Sequence, residues 1–225
     1  MELSGADALV RWKSAPRMVP SRYPVVGLLD RVADPSDLDA LFELESWTND
    51  RISAELGLLH TIPPEEWVTG RPMASVVMAA FCHPRQGGSR FSTEARGAWY
   101  AARAIETALA ECIYHRTKEL AEVGGFETRA QLRVYVADFS ARFRDIRGAR
   151  RSRAELYDPA SYAASQLFGR EVLDAGGNGI VYESVRHPAG ECLACFRPPL
   201  VRNVRAGGHY ELRWAGHPEP EVRKL

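Results

Sequence analysis

An excess of either charge is missing from this sequence: 29 Lys plus Arg meet 29 Asp plus Glu, for a formal net charge of zero. A balanced chain has no general field drawing it to nucleic acid or to an anionic membrane, although a local basic patch stays open. Long apolar runs are missing too; none reaches the roughly 20 residues that cross a bilayer. The opening MELSGADALVRWK carries an acid at its second position and no apolar segment, so it does not read as a secretory signal. Cysteine is scarce, and four in 225 residues do not make a disulfide framework. Internal repeats and low-complexity tracts are absent. A soluble, cytoplasmic protein is the expectation.

What is present suits a packed core, since 45% of residues are hydrophobic. The first twenty-odd residues have weak periodicity and end in PRMVPSRYP, whose prolines favour an extended path. Residues 33–50 read as a helix, with Pro35 and Ser36 as start signals and Leu38, Leu41, Phe42 and Glu45 at helical spacing. ASVVMAAF, Ala74 to Phe81, is short, apolar and β-branched, and predicts a buried strand. After a glycine loop, a helix is expected from about Ala101 to Val123, closed by Gly124 and Gly125. LRVYVADF alternates as a strand, and ASYAASQLFGREVLDAG reads as a helix opened by Pro159 and Ser161. GIVYESV and CLACF predict two paired strands, and YELRW an edge strand before a proline-rich tail. Strands and helices mix without regular βαβ alternation, so the fold class is α+β.

The stretch from Gly87 to Glu111 holds the first candidate chemistry. Gly87 and Gly88 let backbone approach closely and expose N–H groups, a geometry suited to phosphate, and the planar fork of Arg90 could clamp two phosphate oxygens. On the following helix, Ile105, Leu109, Cys112, Ile113 and Leu120 form an apolar stripe for the core. Ala104, Thr107, Ala108, Glu111 and His115 share another side, and small residues one turn before Glu111 leave space above its carboxylate. An ordinary surface glutamate paired with Arg103 or His115 fits the same spacing. Much later, Tyr182, Ser184 and Arg186 alternate onto one strand face, which a solvated face would also explain.

Two other signals compete. CLAC puts Cys192 and Cys195 at C-x-x-C spacing, but a second pair is missing, and strand residues three apart point to opposite faces. Buried core cysteines, with no metal, are the reading. RFRDIRGARRSR carries six arginines between Arg142 and Arg153. It opens a rival hypothesis, a non-enzymatic module binding nucleic acid or protein; the bland reading is a solvated basic connector.

The Arg90-Phe91-Ser92 loop, Tyr100-Ala101-Ala102, ETALAE, YAASQ, GGNGIVYESVR and FRP at Phe196 to Pro198 occur in one order. That series resembles the RES-domain family, named for an arginine, a glutamate and a serine. By motif, Arg90 is the family arginine, Tyr100 the family tyrosine, Glu111 the family glutamate and Ser184 the family serine. Shorter members have GGRF or GGRW where this chain has GGSRF. The resemblance divides the chain into an N-terminal extension, residues 1–70, packed on the core, and a catalytic domain, residues 71–225, within one compact unit.

The resemblance implies a fold like that of ADP-ribosylating toxins, with NAD+ as substrate and no cofactor. It implies cleavage of the nicotinamide–ribose bond, as a glycohydrolase or by phosphorolysis; transfer to a cellular protein, mono-ADP-ribosylation, is the alternative within enzymes. Glu111 would face the developing positive charge on the ribose, Arg90 would neutralise the diphosphate, and Tyr100 would pack its ring on nicotinamide or ribose. Ser184 would hydrogen-bond ribose or the nicotinamide amide. Members are commonly toxins held by a small helical antitoxin of the Xre, helix-turn-helix type, through which alone nucleic acid would be met. Such complexes often contain paired toxins, so a homodimer is a further implication.

Overall fold

A computed structural model of the chain describes residues 6–21, 28–31 and 57–225. Its centre is a seven-stranded mixed sheet built on one long strand. That strand, β3 (Glu127–Asp145), pairs antiparallel with β1 (Asp7–Pro20) along one edge. Its other edge pairs antiparallel with β6 (Arg202–Ala215), then runs on to meet β4 (Gly179–Glu183) in parallel at Arg144 and Asp145. β4 continues through β5 (Glu191–Cys195) to β2 (Trp99–Ala102), both pairings antiparallel. β7 (Glu221–Lys224) closes the far side on β6. Among the described residues the α-helices are a single turn, α1 (Leu28–Arg31), then α2 (Ala74–Cys82), α3 (Ile105–Val123) and α4 (Ala163–Asp174). This is the α+β class that the mixed order of segments implies.

The β2-β5-β4 end of the sheet is buried on both faces, and its strands are largely apolar up to the paired Glu183 and Glu191 at their ends. One face of alternating residues, Trp99, Ala101, Val181, Leu193 and Cys195, packs with α2 and with Val10, Trp12 and Ala15 of β1. The other, Ala102, Ile180, Tyr182, Cys192 and Ala194, packs with Phe91, Ala108 of α3 and Phe168 of α4. Cys192 and Cys195 therefore belong to opposite cores, as strand alternation requires. A third cluster sets Leu109, Cys112, Ile113 and Leu120 of α3 against Leu132, Leu212 and Trp214. α3 thus bridges two parts of the sheet, with Glu111 between its two apolar contacts. Residues 7–20 share this sheet with the later segments, and Leu29, Leu59, Ile62 and Val68 join the α2 core.

Several local readings change. ASVVMAAF is helix, not strand: it is apolar all round, as a helix buried on most sides must be. Its start is fixed from far away, where the Asp30 carboxylate accepts from Met73 N at 2.8 Å and Ser75 N at 2.7 Å. WYAA before α3 is strand, and the helix begins only at Ile105. Its end is as expected: Gly124 adopts φ 71° and Gly125 N bonds Leu120 O at 3.1 Å. YELRW lies inside β6, and the edge is β7, drawn from the tail after Pro220. The helix expected over residues 33–50 lies outside the described residues.

Candidate functional site

Ser184 follows β4 at the mouth of a tight turn, where its own N–H reaches Gly190 O at 2.7 Å. Its hydroxyl donates to Glu111 Oε1 at 2.6 Å and accepts from Arg186 N at 3.1 Å and His187 N at 3.0 Å. A serine hydroxyl has one hydrogen and two lone pairs, so all three are committed. At 2% exposure Ser184 is enclosed. In this arrangement the hydroxyl holds Glu111 and the two turn amides. The small residues on α3 serve the same junction. Thr107, 1% exposed, shares a 2.9 Å hydrogen bond with His187 Nδ1, and Ala108 is buried in the sheet core. They permit close approach of α3 to the turn; they do not hold space open over the carboxylate.

Arg90 lies in the loop between α2 and β2 and is 7% exposed. Its Nη1 donates to Leu156 O at 3.1 Å and Asp158 O at 3.0 Å, and its Cζ lies 4.7 Å from the centre of the Tyr162 ring. Among the described residues its Nη2 donates to none. The loop's backbone donors are mostly spent internally. Gly87 N bonds Glu94 Oε2, Gly88 N bonds Arg85 O, Ser89 N and Ser92 N bond each other's carbonyls, and Phe91 N bonds the Tyr100 hydroxyl. These amides make no phosphate cradle; what the glycines provide is shape. Gly88 has φ +74°, and a Cβ there would stand 2.3 Å from Ser92 O.

Tyr100, on β2, presents its hydroxyl to Phe91 N at 2.9 Å and Ser92 Oγ at 3.1 Å. Burial pushes this phenol up to about 12, so it stays protonated. Tyr100 therefore pins the loop that carries Arg90. Arg17 of β1 supports it from behind, with Nη1 3.3 Å from Tyr100 O and Cζ 5.0 Å from the Trp99 ring. Burial lowers that guanidinium to about 10, still charged at neutral pH.

The carboxylate and the guanidinium act on one neighbourhood. Burial raises the Tyr182 hydroxyl and the Cys192 thiol, Glu111 adds to both rises, and Arg90 opposes them. Tyr182 and Cys192 are register partners on β4 and β5, so both charges are felt on the same face of the sheet. His115, one turn beyond Glu111, is pulled down to about 4 by burial, then by Arg85 and Arg186, with Glu119 opposing and Arg90 adding a little. It is neutral at pH 7.

Glu111 and Ser184 are in direct contact, Tyr100 is tied to the Arg90 loop, and Phe91, Tyr100 and Tyr182 pack in one cluster on one side of the sheet. Sequence reasoning missed Gln166, whose Nε2 donates to Gly87 O at 2.8 Å and Ser89 O at 3.1 Å. The signal was there in YAASQ, a motif without an assigned task. It also missed the carbonyls of Leu156 and Asp158, which no side-chain pattern announces.

The architecture is that of an α+β protein with a polar site at the rim of a sheet buried on both faces. The RES domain family matches residues 60–215, and the chain belongs to that family. The uncharacterized protein y4oC of Sinorhizobium fredii is 26% identical over 202 residues, covering 89% of this chain and 82% of its own. Among solved structures, the M. tuberculosis MbcT-MbcA toxin-antitoxin complex aligns with 91% of this chain and 87% of its own, at TM-score 0.47 and 10% identity.

Proposed function

We propose that this chain is an NAD+-consuming toxin, ADP-ribosyltransferase-like in mechanism, that breaks the bond between nicotinamide and ribose. The observation that carries the reading is the 2.6 Å bond from Ser184 Oγ to Glu111 Oε1, beside the sheet face on which Phe91, next to Arg90, packs. The leaving group is a cationic pyridinium: the C–N bond pair goes to nitrogen and nicotinamide departs neutral, with little need of an acid. The ribose keeps the positive charge, and a fixed carboxylate beside it supplies preorganised stabilisation. Ser184 holds Glu111 in place, Arg90 offers its Nη2 side to the diphosphate, and the Tyr100 ring packs on the sugar or nicotinamide. NAD+ is substrate, and no metal or cofactor enters.

Water as acceptor gives ADP-ribose, phosphate gives phosphorolysis, and a protein side chain gives mono-ADP-ribosylation. An unrestrained NAD+ consumer would harm its host, which supplies the rationale for a helical antitoxin of Xre type in the same, cytoplasmic, compartment. The rival module reading is weakened by the basic segment itself. Arg142 bonds Asp7 O, Arg144 pairs with Asp7, Arg147 with Asp145 and Glu191, Arg150 lies over Tyr157, and Arg153 pairs with Glu155. Five of the six guanidiniums are thus engaged, and exposed Arg151 alone makes no extended basic surface for phosphates.

The test is a time course of antitoxin-free protein with labelled NAD+. Free nicotinamide with soluble ADP-ribose is expected, and Glu111→Ala lowers turnover by roughly 100- to 1000-fold. A folded Glu111→Ala variant that cleaves NAD+ at the native rate removes Glu111 from the mechanism. Unchanged NAD+ with the native protein removes the activity altogether.

A further inference from the structure

The segment between β3 and α4 carries a connection that the proposed chemistry does not use directly. Its first half is anchored: Leu156 is 1% and Tyr157 4% exposed, and the Tyr157 hydroxyl donates to Ile146 O at 2.6 Å. Its tip, Pro159 to Ser161, is exposed and folded on itself, with Asp158 Oδ1 accepting from Ala160 N at 2.7 Å and Ser161 N at 3.1 Å. One outward-facing carbonyl ties this tip to the rest of the molecule. Pro159 O accepts from the Tyr114 hydroxyl at 3.2 Å and from Arg186 Nη2 at 2.6 Å. The two donors also touch each other, with Arg186 Cζ 3.3 Å from the centre of the Tyr114 ring.

The positions of those donors are informative. Tyr114 is three residues beyond Glu111 on α3, and Arg186 is two beyond Ser184 on the turn whose amides hold the Ser184 hydroxyl. The same segment supplies the Leu156 and Asp158 carbonyls and the Tyr162 ring that hold Arg90. We propose that residues 154–162 form a strap, and that Tyr114 and Arg186 are positioning residues that clamp it at Pro159 and so hold Arg90 in register with Glu111 and Ser184. Neither residue needs to touch substrate: each acts on Arg90 through one loop. The functional part rests on the reading of Arg90 as the diphosphate clamp.

Tyr114→Phe keeps the ring under Arg186 and removes only the hydroxyl; Arg186→Lys keeps the charge and removes the planar fork. Hydrogen exchange without any ligand tests the strap itself. Both variants should speed exchange at the Ala160 and Ser161 amides by about 5- to 10-fold, the effect of one lost hydrogen bond, while β4 and β5 stay unchanged. Unchanged strap exchange overturns the proposal even if NAD+ is cleaved. Kinetics test the link to Arg90: KM for NAD+ should rise about 5- to 10-fold in either variant with kcat within about twofold. A fall in kcat at constant KM overturns that link. Faster strap exchange in a protein that leaves NAD+ intact would uphold the clamp and sink the NAD+ reading instead.

Discussion

The Ser184 hydroxyl is fully engaged within the protein, which supports a role exercised through Glu111. One hydrogen goes to Glu111, both lone pairs are met by backbone amides, and no capacity remains for a ligand. Ser184→Ala should therefore lower kcat by about 10- to 100-fold, the worth of a hydrogen bond to a charged group, while KM moves less than about twofold. Steady-state NAD+ kinetics check this; a rise in KM at constant kcat would return Ser184 to the role of substrate ligand. Arg90 and Glu111 were legible as residues because their motifs carry them. What could not be read was the spending of each polar atom. The Gly87 and Gly88 amides look free in sequence, yet Glu94 Oε2 and Arg85 O already take them.

At the scale of elements, the Arg90 loop is shaped by the helix that packs on it. Gly169 of α4 lies so close that an added Cβ would stand 2.1 Å from Phe91 O, a backbone atom that cannot swing aside. Gln166, one turn earlier, bonds two carbonyls of the same loop. Gly169→Ala should destabilise the fold by about 1–3 kcal/mol through overpacking, read as a lower urea midpoint at unchanged m. A midpoint equal to that of the native protein would mean the contact is slack. Periodicity found α3 and its glycine stop, the helix α4, and the β4–β5 pair, because each satisfies its own pattern locally. It failed on ASVVMAAF, where a short apolar run fits a buried strand or a buried helix equally well. Asp30, 43 residues upstream of Met73, decides between them by capping the helix.

For the whole molecule, the main question is whether the chain from residue 71 onward can stand alone. β1 fills one edge of β3 from Leu132 to Arg144, and Val10, Trp12 and Ala15 are buried in the α2 core. Leu59, Ile62 and Val68 lie there too. Exposing these side chains costs about 1.5–3 kcal/mol for each large one, which rivals a typical total stability of about 5–15 kcal/mol. Residues 71–225 expressed alone should lack a cooperative thermal transition and dispersed amide NMR signals. A sharp transition for that fragment would show that the first 70 residues are an accessory after all. Glu66 adds a polar link of the same kind, pairing with Arg96 at 2.6 Å and with Arg197 of the FRP motif at 2.5 Å.

The sequence by itself determined the α+β class, the family, the helix that carries Glu111 and the strand that leads to Ser184. Those follow from periodicity, turn chemistry and motif order, which are written along the chain. Only the tertiary structure decided which partners the basic arginines meet, that the Ser184 hydroxyl bonds Glu111, and that the Leu156 and Asp158 carbonyls hold Arg90. The bonds from Arg90 to Leu156 and from Ser184 to Glu111 join residues 66 and 73 positions apart. No local pattern records that pairing, because it exists only after the sheet has brought the segments together.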